Sequence, residues 1–150
     1  MGVGMRILKA TEDDAWQIAN ISSEVAQEEV VKEFKPDELT EILSDKKYYI
    51  AVAKLNGEIA GYAMSTYAWG KLHILDTAVR GSRRRMGVGK MLIKHLIAHA
   101  VERGLSEVYC EVKARNIPAL NLFTSLGFRF KVFSILARGF YGLYLPLKRS

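Results

Sequence analysis

Met5 to Ala10 reads as a short strand, and Thr11 followed by Asp13 and Asp14 supplies a helix N-cap with acids in the first turn. Ala15, Ile18, Ala19, Ile21, Val25 and Ala26 then recur at near-helical spacing, which predicts an amphipathic helix to about Glu29. Pro36-Asp37-Glu38 opens a second helix ending around Ser44, proline being tolerated in a first turn. Tyr48 to Leu55 and Glu58 to Ala68 are strands joined by Asn56-Gly57, a hairpin turn pair, and Lys71 to Val79 is the next strand. A helix follows from Gly87 to Arg103, with Val88, Met91, Leu92, Leu96 and Ala100 on one face and Gly104 as its left-handed stop. Glu107 to Lys113 is strand, Asn116 and Pro118 open a helix that Gly127 closes, and Phe128 to Leu136 and Phe140 to Leu147 are two last strands.

The predicted order is β α α β β β α β α β β. A hairpin-fed strand passing through a helix to another strand implies one right-handed parallel crossover in a mostly antiparallel sheet. The fold class is therefore mixed α/β, with residues 1–150 expected as one domain, since this length supports a single core. No apolar run approaches the roughly 18 residues of a membrane span. Cys110 is the only cysteine, which excludes an internal disulfide or a multi-cysteine metal site and makes the cytoplasm the expected compartment. The expectation is of no membrane and no metal. His95 and His99 have a zinc-compatible helical spacing, but Leu96 stands where a metalloprotease carries glutamate.

The net charge of +6 is unevenly placed. Residues 11–45 hold eleven acids against Lys32 and Lys35, whereas residues 80–90 hold Arg80, Arg83, Arg84, Arg85 and Lys90 with no acid. An anion fits the second stretch; a solvated arginine loop explains the same charges. Nucleic acid is not the expected partner, because no aromatic-interleaved basic surface or helix-turn-helix spacing accompanies the loop. Gly87 and Gly89 allow close backbone approach, and the free amides of a helix start, aided by its dipole, donate to phosphate oxygens. The loop matches neither a Walker A motif nor a dinucleotide-binding fingerprint.

Arg84-x-x-Gly87-x-Gly89, after a strand ending Ala78-Val79, resembles the acetyl-CoA-binding motif of GNAT-type N-acetyltransferases. Glu111-Val112-Lys113-Ala114-Arg115-Asn116, then Ala119, Leu122-Phe123 and Leu126-Gly127-Phe128, resembles the second cofactor motif of that family, and Arg6 to Asp14 its first strand and helix start. The resemblance implies the GNAT fold splayed around acetyl-CoA as co-substrate. Backbone groups of Thr77, Ala78 and Val79 would meet the pantetheine arm, and the amides of Arg85, Met86, Gly87, Val88, Gly89 and Lys90 the pyrophosphate. Arg84 would add charge, while Asn116 and Phe123 would lie by the cofactor arm. Asn116 read by itself is an N-cap worth about 1 kcal/mol.

The branch most similar in motif is the ribosomal-protein and other N-terminal acetyltransferases, which makes Glu111 the candidate general base. A strand carboxylate also reads as a salt-bridge partner of Lys113 or Arg115. His73 is a rival base. It and Asp76 are expected on opposite faces of one strand. Phe123 stands where that branch usually has a tyrosine acid; Tyr141 or Tyr144 is the substitute, and sheet packing explains both tyrosines as well. The acidic segment 11–45 would flank the acceptor. A peptide N-terminal amine is the preferred acceptor, because an α-amine of pKa about 8 is neutral for roughly a tenth of molecules at pH 7, against about one in several thousand for lysine. A small amine or polyamine is the alternative, as is a noncatalytic acyl-CoA-binding module. A homodimer is left open.

Overall fold

The structure, a computed structural model, describes residues 4–29, 31–131 and 139–148. Strand β1 (Met5–Lys9) is followed by a single 3-10 turn (Glu12–Asp14) and α1 (Ala15–Glu28), then by α2 (Pro36–Ser44), β2 (Tyr48–Leu55) and β3 (Glu58–Ala68). After them come β4 (Lys71–Val79), α3 (Val88–Glu102), β5 (Glu107–Lys113), α4 (Ile117–Ser125), β6 (Arg129–Phe130) and β7 (Phe140–Pro146). The element order matches the pattern of the chain, and Asn56 and Gly57 take the two positive φ values, 53° and 82°, that a tight hairpin turn needs. Phe128 is a buried core residue and not strand, so β6 begins at Arg129; residues 132–136 of the expected strand lie outside the described residues. On α3 it is Ile93, not Met91, that joins Val88, Leu92, Leu96 and Ala100 in the core.

The strands form one sheet in the order β1-β2-β3-β4-β5-β7-β6, antiparallel except for the β4–β5 pair that α3 connects. One face packs against α3 and α4 through Leu72, Ile74, Ala63, Val108, Cys110, Val112, Leu120 and Phe123. The other packs against α1 and α2 through Ile18, Ile21, Leu39, Val52, Tyr62, Met64 and Ala78.

Two irregularities in β4 create the opening at the centre of this sheet. The parallel ladder with β5 comprises Leu72↔Val108, His73↔Tyr109 and Ile74↔Cys110, and the two strands separate beyond it. At the same level the pairing with β3 passes from Ser65↔Ile74 to Met64↔Asp76, leaving Leu75 as an extra residue. Such a bulge bends the strand and re-aims the side chains after it. Leu72 and Ile74 belong to the α3-side core, but Ala78 belongs to the α1-side core. Asp76 therefore shares the α1-side face with His73, against the opposite faces that strict alternation predicts.

Gly61 of β3 completes the arrangement. A Cβ there would stand 2.8 Å from the Ala78 carbonyl oxygen, 3.1 Å from Val88 Cγ1 and 3.3 Å from Val79 Cα. Only a residue without a side chain lets the start of α3 come down onto β3 and β4.

Candidate active site

The cleft between the separated strands runs from the start of α3 to the middle of β5. At the α3 end, Gly87 is the N-cap with φ 77°, and Arg85 is left-handed with φ 67°, a conformation costly for a residue with a Cβ. No side chain of the described residues caps this helix, and its first backbone bond runs from the Met91 N–H to the Gly87 oxygen at 3.0 Å. The N–H groups before Met91 are left for a ligand, on the positive end of the helix dipole. A cavity of about 610 Å³ adjoins them, lined by Thr77, Ala78, Val79, Arg83, Arg84, Arg85, Gly87, Val88, Gly89, Lys90 and Asn116. Met86 is not among its walls and is exposed.

Arg84 is more engaged than a bare charge. Its Nη1 lies 2.7 Å from Glu28 Oε2, its Nη2 3.9 Å from Glu24 Oε2, and its Nε donates to the Val79 oxygen at 3.3 Å. Glu24 also accepts a short hydrogen bond from the Gly81 N–H. Part of the acidity of α1 thus anchors the arginine loop, and further along the segment Asp14 pairs with Lys54 at 3.1 Å and Glu38 with Lys32 at 3.0 Å. The whole acidic segment cannot be counted as a field aimed at an acceptor. Glu29, at the end of α1, does line the cleft.

Further along, a cavity of about 210 Å³ lies where β4 and β5 diverge, with Asp76, Thr77, Cys110, Glu111, Asn116 and Phe123 in its walls. Val108, Cys110 and Val112 face the α3-side core, so Tyr109 and Glu111 project to the opposite face, toward α1. Glu111 is exposed, so no burial cost needs explaining, and it lies on the same face of β5 as Tyr109. The Tyr109 hydroxyl is pushed above its ordinary pKa by burial and then by Glu111. The His73 ring stands 5.0 Å from the Tyr109 ring; burial lowers its pKa, partly offset by Glu111, so it is a neutral base at pH 7. Glu111, Tyr109 and His73 form one row across β5 and β4.

Phe123 is buried in the wall, edge-on to Phe128 at 5.0 Å between ring centres, and offers no proton. Tyr141 packs against the α3-side core, edge-on to Phe130 at 5.2 Å, on the side of the sheet away from Glu111. Neither tyrosine substitute is brought to the cleft: Tyr144 pairs with Tyr109 in the sheet, and Lys131 Nζ sits 5.3 Å from its ring. Asn116 caps α4 by accepting the Ala119 N–H at 3.1 Å and also lines the cleft, so its two expected roles coexist. His95 and His99 are taken by tyrosines instead of a metal: the Tyr49 hydroxyl lies 2.8 Å from His95 Nε2 and the Tyr67 hydroxyl 2.6 Å from His99 Nε2.

Sequence reading passed over Gly61, the position of Cys110 in the wall, and Asp76 as a cleft residue. An isolated glycine within a strand pattern is a signal of close backbone approach. Asp76 had none, because a bulge is not visible in the apolar pattern. Thr77 Oγ1 is buried with no hydrogen-bond partner among the described residues, a polar atom that a ligand in the cleft can satisfy.

The sequence family described as "Acetyltransferase (GNAT) family" matches residues 8–128. The chain belongs to that family. Relatives include an N-alpha-acetyltransferase of Sulfolobus acidocaldarius, 32% identical over 140 residues that cover 85% of this chain and 81% of the relative. An N-alpha-acetyltransferase of Sulfurisphaera tokodaii is 35% identical over 56% of this chain and 59% of its own length. The [ribosomal protein bS18]-alanine N-acetyltransferase of Escherichia coli is 34% identical over 49% of each chain. The matched stretches thus span about half to three fifths of the last two. Among solved structures, a Salmonella typhimurium protein with its cofactor acetyl-CoA superimposes with a TM-score of 0.82 at 20% identity, over 97% of this chain and 95% of that one. For this GNAT-family chain, the parallel β4–β5 pair opening beside an uncapped α3 is the family's fold realised in these residues.

Proposed function

We propose that this GNAT-family chain transfers the acetyl group of acetyl-CoA to a primary amine, and that the amine is a protein N-terminal α-amine. The observation that carries the reading is the continuous cleft from the open amides at Gly87–Lys90 to Glu111, opened by the early end of the β4–β5 ladder. Acetyl-CoA supplies an activated thioester carbon and a thiol leaving group. The residues present suit it: the α3 amides with Arg83 and Arg85 are matched to a diphosphate, and Thr77 to Val79 offer a strand edge and an unsatisfied hydroxyl to an amide-bearing arm.

Glu111 accepts the proton that the acceptor amine gives up, on the face of β5 that it shares with Tyr109. His73 lies in the same row, its ring 5.0 Å from that of Tyr109, and is the rival base. Among the described residues, no tyrosine in the wall replaces the acid for which Phe123 cannot serve. A thiol of pKa about 8.5 departs tolerably as its anion, so the chain retains turnover without that donor. A carboxylate base has less to do for an amine that is already neutral in appreciable amount at pH 7, which an α-amine is and lysine is not.

Thiol release from acetyl-CoA in the presence of paired peptides tests this. Peptides with a free N-terminus turn over faster than the same sequences blocked there and carrying lysine. Equal rates, or faster lysine peptides, would exclude the α-amine assignment, and binding of CoA without amine-dependent thiol release would exclude catalysis.

A further inference from the structure

Two carboxylates in the cleft, Glu29 and Asp76, have no part in the mechanism above, and Asp76 is the one that a hydrogen bond fixes in place. Asp76 lines the same cavity as Glu111, and it does so because of the Leu75 bulge. In a regular strand, residue 76 would follow residues 72 and 74 into the α3-side core, where an aspartate has no place. The extra residue turns it to the face that carries His73, Tyr109 and Glu111. Bulges beside active sites commonly re-aim a side chain in this way.

A hydrogen bond from a buried tyrosine holds it there: the Tyr62 hydroxyl donates to Asp76 Oδ2 at 2.6 Å. Burial drives the Tyr62 hydroxyl far above its ordinary pKa, so it remains a donor and Asp76 the acceptor. Burial raises the Asp76 carboxyl above its ordinary pKa, partly offset by the Tyr62 hydroxyl and the Thr77 backbone. The cavity of about 210 Å³ has room for about seven waters at roughly 30 Å³ each. That admits an amine head group and the atoms next to it.

We propose that Asp76 is the acceptor-anchoring residue of this acetyltransferase: it receives the incoming amine as an ammonium ion and holds it beside Glu111. The ammonium proton goes to Glu111, freeing the nitrogen lone pair, and Asp76 takes no proton in the step. The reaction thus selects a cationic head group at binding and a neutral one at transfer. This inference rests on the acetyl-transfer reading and adds to it the residue that recognises acceptor charge.

The test is calorimetry of the CoA-loaded full chain with alanyl-alanine amide and with its N-acetylated form, together with steady-state kinetics. Wild type binds the free amine and not the blocked form. Asp76→Asn weakens that binding and raises acceptor KM roughly ten- to a hundredfold, a larger change than the one in kcat, and leaves acetyl-CoA KM within about threefold. Glu111→Gln shows the reverse split, a loss in kcat with acceptor binding retained. Tyr62→Phe keeps the carboxylate but frees its orientation, and raises acceptor KM by a smaller factor, which serves if Asp76→Asn does not fold. Equal binding of free and blocked dipeptide, or an Asp76→Asn change falling on acetyl-CoA KM, overturns the proposal. Absence of amine-dependent thiol release by wild type, with head-group binding intact, instead removes the catalytic reading and leaves the anchor standing.

Discussion

Gly61→Ala tests whether close packing behind the cleft is what holds it open. The added methyl would lie 2.8 Å from the Ala78 oxygen, nearer than side-chain carbons are found, and 3.1 and 3.3 Å from Val88 Cγ1 and Val79 Cα. Two of these three atoms belong to backbone, which cannot rotate away. Either β3 and β4 separate or the first turn of α3 lifts off the sheet. Overpacking of this kind costs about 1–3 kcal/mol. At about 2–4 °C per kcal/mol for a chain of this size, Tm falls by roughly 2–12 °C. Ala78, Val79 and Val88 are also cleft residues, so acetyl-CoA KM rises in the same variant. Gly89→Ala is the control on the other side of Val79. Its Cβ would meet Leu122 Cδ2 at 3.8 Å and Val79 Cγ2 at 3.9 Å, ordinary contacts, in a helical position where alanine gains about 0.5–1 kcal/mol. Urea and thermal unfolding of the two variants give the comparison. Gly61→Ala as stable as wild type, or Gly89→Ala as damaged as Gly61→Ala, would refute the reasoning.

Glu111→Gln lowers kcat by about 10²–10⁴ while CoA titration by calorimetry stays unchanged, if the carboxylate takes the amine proton. Gly87→Ala, which asks alanine to hold φ 77°, loses about 1–2 kcal/mol in urea unfolding although nothing lies within 4 Å of the new methyl. Burial pushes the Cys110 thiol up to about 12, so at pH 8 its thiolate is roughly a thousandfold scarcer than that of a free cysteine. Iodoacetamide labelling is correspondingly slow in the native protein and fast in urea. His95 and His99 are lowered chiefly by burial, so the unfolded chain binds their protons more readily than the folded one. Their contribution is therefore intact above about pH 6.5 and is lost as pH falls through the folded values. Unfolding free energies measured between pH 7.5 and 5 decline less steeply in the His95→Gln, His99→Gln double variant.

Helix and strand positions, the Asn56-Gly57 hairpin turn and the parallel crossover were legible along the chain, because each depends on neighbours a few residues apart. Pro36, Asn56-Gly57, Gly104 and Asn116 act through the backbone beside them, and the arginine-glycine run before α3 carries its amides wherever the helix starts. Which face each side chain occupies was decided by the tertiary structure. One unpaired residue, Leu75, reverses the alternation of everything after it in β4 and turns Asp76 into the cavity that Glu111 also lines. Pairing of β7 beside β5 turns Tyr141 away from the cleft, and the docking of α1 draws Glu24 and Glu28 onto the arginine loop. Register and long-range ion pairs depend on residues tens of positions apart. Periodicity is a local quantity, so it records that a strand exists without recording where its ladder slips or ends.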